Sequence, residues 1–150
     1  MAKKTKDLKY YEAVGRRKEA VAIVRFYIPG KEGVVSVGNL KIKKGEIFVN
    51  GKPIESIYNT KEEQIIYQKP LKLTESENRF AISIKVNGGG KRGQLFAITL
   101  GLARALVLVD ESYKPILRKE GLLTVDARVK ERRKVGTGGK ARREKQSPKR

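Results

Sequence analysis

The sequence has no cysteine and no histidine. The first absence excludes disulfides and thiolate metal sites. Together they remove the usual nucleophile–base pairs of transfer and hydrolytic enzymes. Acidic side chains are scarce, 16 against 35 Lys and Arg. The pairs that occur, Glu62-Glu63, Glu75 with Glu77, and Asp110-Glu111, fall at expected helix starts or in loops, where capping and solubility account for them. No apolar run follows the opening Met-Ala-Lys-Lys-Thr-Lys-Asp, so no secretory leader is visible and a cytoplasmic protein is the expectation. No internal repeat is present. These absences argue against an enzyme, and we expect no cofactor and no metal.

What the chain has in excess is positive charge, a net +19 over 150 residues. That length is one domain with room for a real core. A basicity of this size implies a polyanionic partner, usually nucleic acid and less often an anionic membrane. The charge is unevenly placed. Residues 128–150 carry 11 basic and two acidic side chains, while residues 19–127 carry 17 and 12. We therefore divide the chain into a basic arm over 1–9, a core over 10–127 and an extended basic tail over 128–150.

The core is organised around residues 79–110. Phe80, Ile82, Ile84 and Val86 alternate with more polar neighbours, which predicts a half-buried strand. Gly88, Gly89, Gly90 and Gly93 then turn the chain. From Gln94 to Val109 apolar residues dominate without a polar face, which predicts a core helix. At about 16 residues, interrupted by Arg104, this helix is too short and too polar to span a bilayer.

Around this unit the sequence predicts a strand over 10–14 and a basic turn at Gly15-Arg16-Arg17-Lys18. A mostly buried strand follows over 20–28, then a small hairpin within 31–44. Another short strand over 46–49 ends at the turn signal Asn50-Gly51. Thr60 and Glu63 form a capping-box pattern for a helix ending before Pro70. Ser112 is placed to cap a last helix that Gly121 stops. Leu122, Leu123, Val125 and Val129 are the last apolar anchors.

Two signals compete for the glycine turn. Gly88, Gly90 and Gly93 satisfy a dinucleotide-binding fingerprint, with Asp110 as the ribose-binding acid. Lys91 and Arg92 in the same turn suit an RNA backbone phosphate equally well, and a lone fingerprint is weak. Arg16, Arg17 and Lys18 read either as a solvated turn or as phosphate contacts. The tail is more informative. Arg128, Lys130, Arg132, Arg133 and Lys134 form one cluster, and Lys140, Arg142, Arg143, Lys145, Lys149 and Arg150 form a second. Arginine forks bind phosphate oxygens and stack on bases, while lysine supplies point charge. A basic arm on a compact body favours folded, irregular RNA over smooth duplex.

With these residues in view, the chain closely resembles the small-subunit ribosomal protein nine family of bacterial type, from about Tyr10 to Arg150. The likeness rests on Gly15-Arg16-Arg17-Lys18 before Ala20-Val21-Ala22, on Val49-Asn50-Gly51-Lys52-Pro53, and on Gly88-Gly89-Gly90 with Gly93-Gln94. It rests further on Gly101-Leu102-Ala103-Arg104-Ala105-Leu106, on Gly121-Leu122-Leu123-Thr124, and on the Lys149-Arg150 ending. It implies an α+β fold, a β-α-β core like the second domain of ribosomal protein five, with a left-handed crossover against the general rule. It implies a structural protein that binds the 3′ major (head) domain of small-subunit ribosomal RNA. Neighbouring small-subunit ribosomal proteins would be partners, and no membrane is involved. Ribosomal RNA contacts would fall to Arg16, Arg17, Lys18, Lys91, Arg92, Arg128, Lys130, Arg132, Arg133, Lys134, Lys140, Arg142 and Arg143. The resemblance also implies that Lys149 and Arg150 contact the anticodon-arm backbone of peptidyl-site transfer RNA. The chain departs from the family pattern at Val125, where an arginine is usual, and at Ser147-Pro148, where an aromatic is usual before Ser.

Overall fold

A computed structural model describes residues 10–30, 33–38 and 40–139. The expected arm over 1–9, and the contacts assigned to Lys140, Arg142, Arg143, Lys149 and Arg150, lie outside these described residues. The fold is α+β, as expected. One mixed sheet has the strand order β1-β2-β7-β5-β6, and a separate hairpin is formed by β3 and β4.

β1 (Tyr10–Arg17) and β2 (Ala20–Tyr27) form a hairpin that turns through Lys18 and Glu19. The basic motif is thus mostly strand, which corrects the turn expected at Gly15-Arg16-Arg17-Lys18. The reason lies far downstream, in the helix that carries Ala97 and Gly101. A methyl group on Gly15 would collide with the carbonyl oxygen of Ala97 and lie 2.5 Å from the amide nitrogen of Gly101. Glycine is required there by the close approach of a helix. β2 is the buried strand expected, with Ala20, Ala22, Val24 and Phe26 turned to the main core. It ends one residue early, leaving Ile28 exposed.

β3 (Val34–Val37) and β4 (Leu40–Lys43) are the predicted small hairpin. It lies on the other face of the sheet, where Val35 and Ile42 pack with Tyr27 and Ala81. β5 (Ile47–Val49) turns at Asn50-Gly51, both with positive φ, into the two-residue β6 (Lys52–Pro53). β5 pairs in parallel with β7 (Ala81–Asn87), and the connection between them carries α1 (Ile54–Ile57) and α2 (Lys61–Leu73).

The capping box at Thr60 and Glu63 is present, yet α2 runs past Pro70 instead of ending before it. Proline removes the N–H that would bond the carbonyl of Ile66. The nearest side-chain donor, the Thr99 hydroxyl, is 3.5 Å from the Ile66 oxygen but spends its single proton on the carbonyl of Leu95 at 3.0 Å. Burial of Tyr67, Pro70 and Leu71 on either side of the defect holds the helix together.

α3 (Lys91–Val109) is the predicted core helix, but it begins three residues earlier than expected, with Gly90 as its N-cap. Its 19 residues make it, by length and composition alone, long and apolar enough to cross a membrane, which corrects the expectation of a helix too short and too polar to do so. Here it is enclosed instead, with β1 and β2 on one side and α2 on another. Gly101 faces the sheet so closely that a methyl there would sit 2.6 Å from a Val24 methyl. The arginine that interrupts the apolar run has a structural task. Arg104 donates to the carbonyl of Val14 at 2.7 Å and so satisfies β1, which is an edge strand.

After α3, Asp110 and not Ser112 is the cap. Its carboxylate accepts from the Ser112 amide at 2.9 Å, opening a 3-10 turn (Glu111–Tyr113) that leads into α4 (Lys114–Lys119). Gly121, at positive φ, ends α4 as expected, with its amide and that of Leu122 bonded back to Arg118 and Leu117. Residues 124–134 have no regular secondary structure. Leu122 and Leu123 pack on the core, whereas Val125 and Val129 are exposed and anchor nothing.

Candidate nucleic-acid interface

Three distant segments meet at the N-terminal end of α3: the β1–β2 turn, the glycine loop with the first helical turn, and the chain leaving the core at 126–130. The glycine loop fits because it is tucked against the turn. Gly88 and Gly89 have positive φ, and a methyl on Gly89 would lie 2.9 Å from the Ala20 side chain. The side chain of Gln94 fastens the loop by donating to the Gly88 carbonyl at 3.0 Å.

The convergence forms two adjoining grooves. One, of about 780 Å³, is lined by Arg17, Lys18, Glu19, Lys91, Arg92, Lys130 and Phe96. The other, of about 410 Å³, is lined by Arg16, Arg17, Phe96, Leu122, Asp126 and Arg128. Arg17 and Phe96 form the boundary between them. The structure thus brings together Arg16, Arg17, Lys18, Lys91, Arg92, Arg128 and Lys130, which lie in three separate stretches of sequence. Arg132, Arg133 and Lys134 follow on the exposed chain beyond Lys130 and line neither groove.

These cations are not equivalent. Arg17 is an internal fastener with a side chain only 17% exposed. Its guanidinium donates to the carbonyls of Asp126 at 3.2 Å and Arg128 at 2.7 Å, and pairs with the Asp126 carboxylate at 3.0 Å. Arg128 grips the same carboxylate bidentately, at 2.9 and 2.7 Å, and adds its backbone amide at 3.1 Å. These bonds, first those from the Arg128 side chain, hold the Asp126 carboxyl well below the usual carboxylate range. Lys91 pairs with Glu63 at 3.0 Å, and this bond lowers the Glu63 pKa. Among the described residues, Arg16, Lys18, Arg92, Lys130, Arg132, Arg133 and Lys134 have no carboxylate partner.

The dinucleotide reading loses its acid here. Asp110 caps a turn beyond the C-terminus of α3, and no strand follows α3 among the described residues. No group of acidic side chains suited to a metal ion occurs among the described residues. Sequence reasoning missed three participants: Asp126, Glu63 and Phe96. Asp126 was hidden because its partner Arg17 is 109 positions away. A signal for Phe96 did exist, since it sits four residues after Arg92 and therefore one turn along the same helix face.

Comparison with known proteins bears on this arrangement. A family model described as ribosomal protein S9/S16 matches residues 15–150. The small ribosomal subunit protein uS9 of Maridesulfovibrio salexigens is 44% identical over 135 residues, covering 90% of this chain and 92% of that protein. The small ribosomal subunit protein uS9 of Cytophaga hutchinsonii is also 44% identical, over 83% of this chain and 86% of its own length.

Proposed function

The chain belongs to the ribosomal protein S9/S16 family, structural and non-enzymatic constituents of the cytoplasmic small ribosomal subunit, and from that premise we propose how it holds RNA. The core docks on the 3′ major (head) domain of small-subunit ribosomal RNA through the grooves at the start of α3. The tail over 128–150 continues from them into the RNA. Its last two residues, Lys149 and Arg150, contact the anticodon-arm backbone of peptidyl-site transfer RNA. The β5–β7 crossover is the left-handed one that the family resemblance implies.

The observation that carries this reading is the gathering of Arg16, Lys18, Arg92 and Lys130, which have no carboxylate partner among the described residues, around the point where the tail leaves the core. Cations left unpaired at one end of a folded domain make a footprint for phosphate, which positions an RNA without reading its sequence. Arg17 plays a different part. It binds the root of the tail and sets its direction of departure. Arg128 is half committed in the same way, through Asp126.

The test is binding of the full chain and of a chain ending at Val135 to the 3′ domain RNA, over a salt series, with duplex DNA as competitor. We expect a preference for the RNA that survives at high salt. The shortened chain should stay folded, bind more weakly and show a flatter salt dependence. Equal binding to RNA and duplex, vanishing together as salt rises, would leave only a nonspecific polycation.

A further inference from the structure

We propose that Phe96 is a stacking platform for an unpaired base of the bound RNA, an inference that rests on the RNA-binding reading above and assigns it a residue. Phe96 is 40% exposed, although its neighbours Leu95 and Ala97 are buried in the core. A large aromatic is costly to leave in water, and this one stands where basic side chains and the apolar Leu100, Leu122 and Val129 share its grooves. It lines both basic grooves and forms part of their shared boundary. Lys18, Arg92 and Lys130 lie in one groove and Arg16 in the other, within reach of a strand passing over the ring. Among the described residues Glu19 is the one carboxylate lining the larger groove, and the surrounding cations outnumber it.

That combination selects a ligand class. Phosphate alone would need the cations but not the ring. An apolar peptide would need the ring but not the four cations. A single-stranded or bulged nucleotide uses both, with its base on the aromatic face and its phosphates on the rim. Duplex bases are already stacked on one another and cannot reach the ring. The exposed Val129, which lines the larger groove, adds a second apolar contact beside the ring.

The chain contains no tryptophan, so the full-length F96W variant carries a single indole at the site. We would titrate it with a mixed-sequence single-stranded ribo-oligonucleotide and, separately, with inorganic polyphosphate of matched charge. Stacking predicts strong quenching by the oligonucleotide and little by polyphosphate. In the same assay F96A and F96L should weaken oligonucleotide binding roughly tenfold. Polyphosphate binding and the salt slope should not change. F96L keeps the apolar bulk and the fold, so a loss in F96L isolates the ring. Equal quenching by both polyanions, or wild-type affinity in F96L, would overturn the proposal. Should the wild-type chain not prefer head-domain RNA to duplex DNA, the ribosomal docking fails while the indole signal still reports whether a base stacks.

Discussion

The two halves of α3 treat positive charge in opposite ways. From Leu95 to Leu106 the helix is buried apart from Phe96 and Arg104, and Arg104 is bonded to the Val14 carbonyl. One turn earlier, Lys91 and Arg92 are exposed, and Arg92 has no carboxylate partner among the described residues. The same division separates neighbours in β1, where Arg17 is bound to Asp126 and to two carbonyls while Arg16 is exposed. A cation turned inward must satisfy its donors locally, because burying an unpaired charge is expensive. A cation turned outward at this end can wait for a phosphate. Position along one helix and one strand therefore sorts the basic residues into those that hold the protein together and those available to RNA.

The comparison breaks most violently at the packed half. Gly15→Ala puts a methyl group into the backbone of α3 at Ala97 and Gly101, with no flexible side chain to move aside. Overpacking of this kind costs about 3 kcal/mol or more, and the midpoint of thermal unfolding should fall by ~6–12 °C. Differential scanning calorimetry checks it. RNA affinity per folded molecule should be unchanged, since Gly15 offers no group to phosphate. An unshifted midpoint would mean that α3 does not lie this close to β1.

The adjacent arginines sharpen the contrast. Arg17→Ala removes a mostly buried guanidinium bonded to a carboxylate and two carbonyls. The expected loss is ~1–2 kcal/mol, with amide exchange at residues 124–128 accelerated. Arg16→Ala and Arg92→Ala should leave the unfolding midpoint within error. Instead each should lower the slope of log affinity against log salt by roughly 0.7–0.9. If Arg17→Ala lowered the salt slope and left stability intact, the sorting would be wrong.

What the sequence disclosed follows the range of the interactions involved. The strand expected over 20–28 and found one residue shorter, the Asn50-Gly51 turn and the Thr60–Glu63 capping box depend on residues within a few positions of one another, and periodicity or turn chemistry exposes them. The core helix was visible from composition alone. Some misreadings were local, such as Ser112 taken as the cap in place of Asp110 two residues before it, but the larger ones have distant partners. Gly15 looked like a turn glycine because Ala97 and Gly101 cannot be seen from position 15. Pro70 looked like a helix stop because the core that buries it with Tyr67 and Leu71 is built from distant parts of the chain. Arg17 looked like its neighbour Arg16 because Asp126 lies more than a hundred residues on. The location of the basic site was legible as clusters, but the division of labour within it was not.

The smallest effect concerns the root of the tail. The Asp126 carboxyl titrates below its unfolded value, so the clamp contributes its full stability above about pH 4, near the ordinary carboxylate pKa. That contribution is lost as pH falls through the depressed value. Carbon-detected NMR of Asp126 should therefore show no titration between pH 7 and pH 5, and a midpoint clearly below that of an exposed aspartate. The two arginines that hold it differ in exposure, 86% for the Arg128 side chain and 17% for that of Arg17. Removing Arg128, which makes more of the bonds, should raise the midpoint most at low salt. Salt screens an exposed pair far more than a sheltered one. Added salt should therefore raise the midpoint further in Arg17→Ala than in the wild-type chain. Identical salt responses in the two would mean that Arg17 holds the tail through the carbonyls of Asp126 and Arg128 alone, with its carboxylate contact contributing nothing.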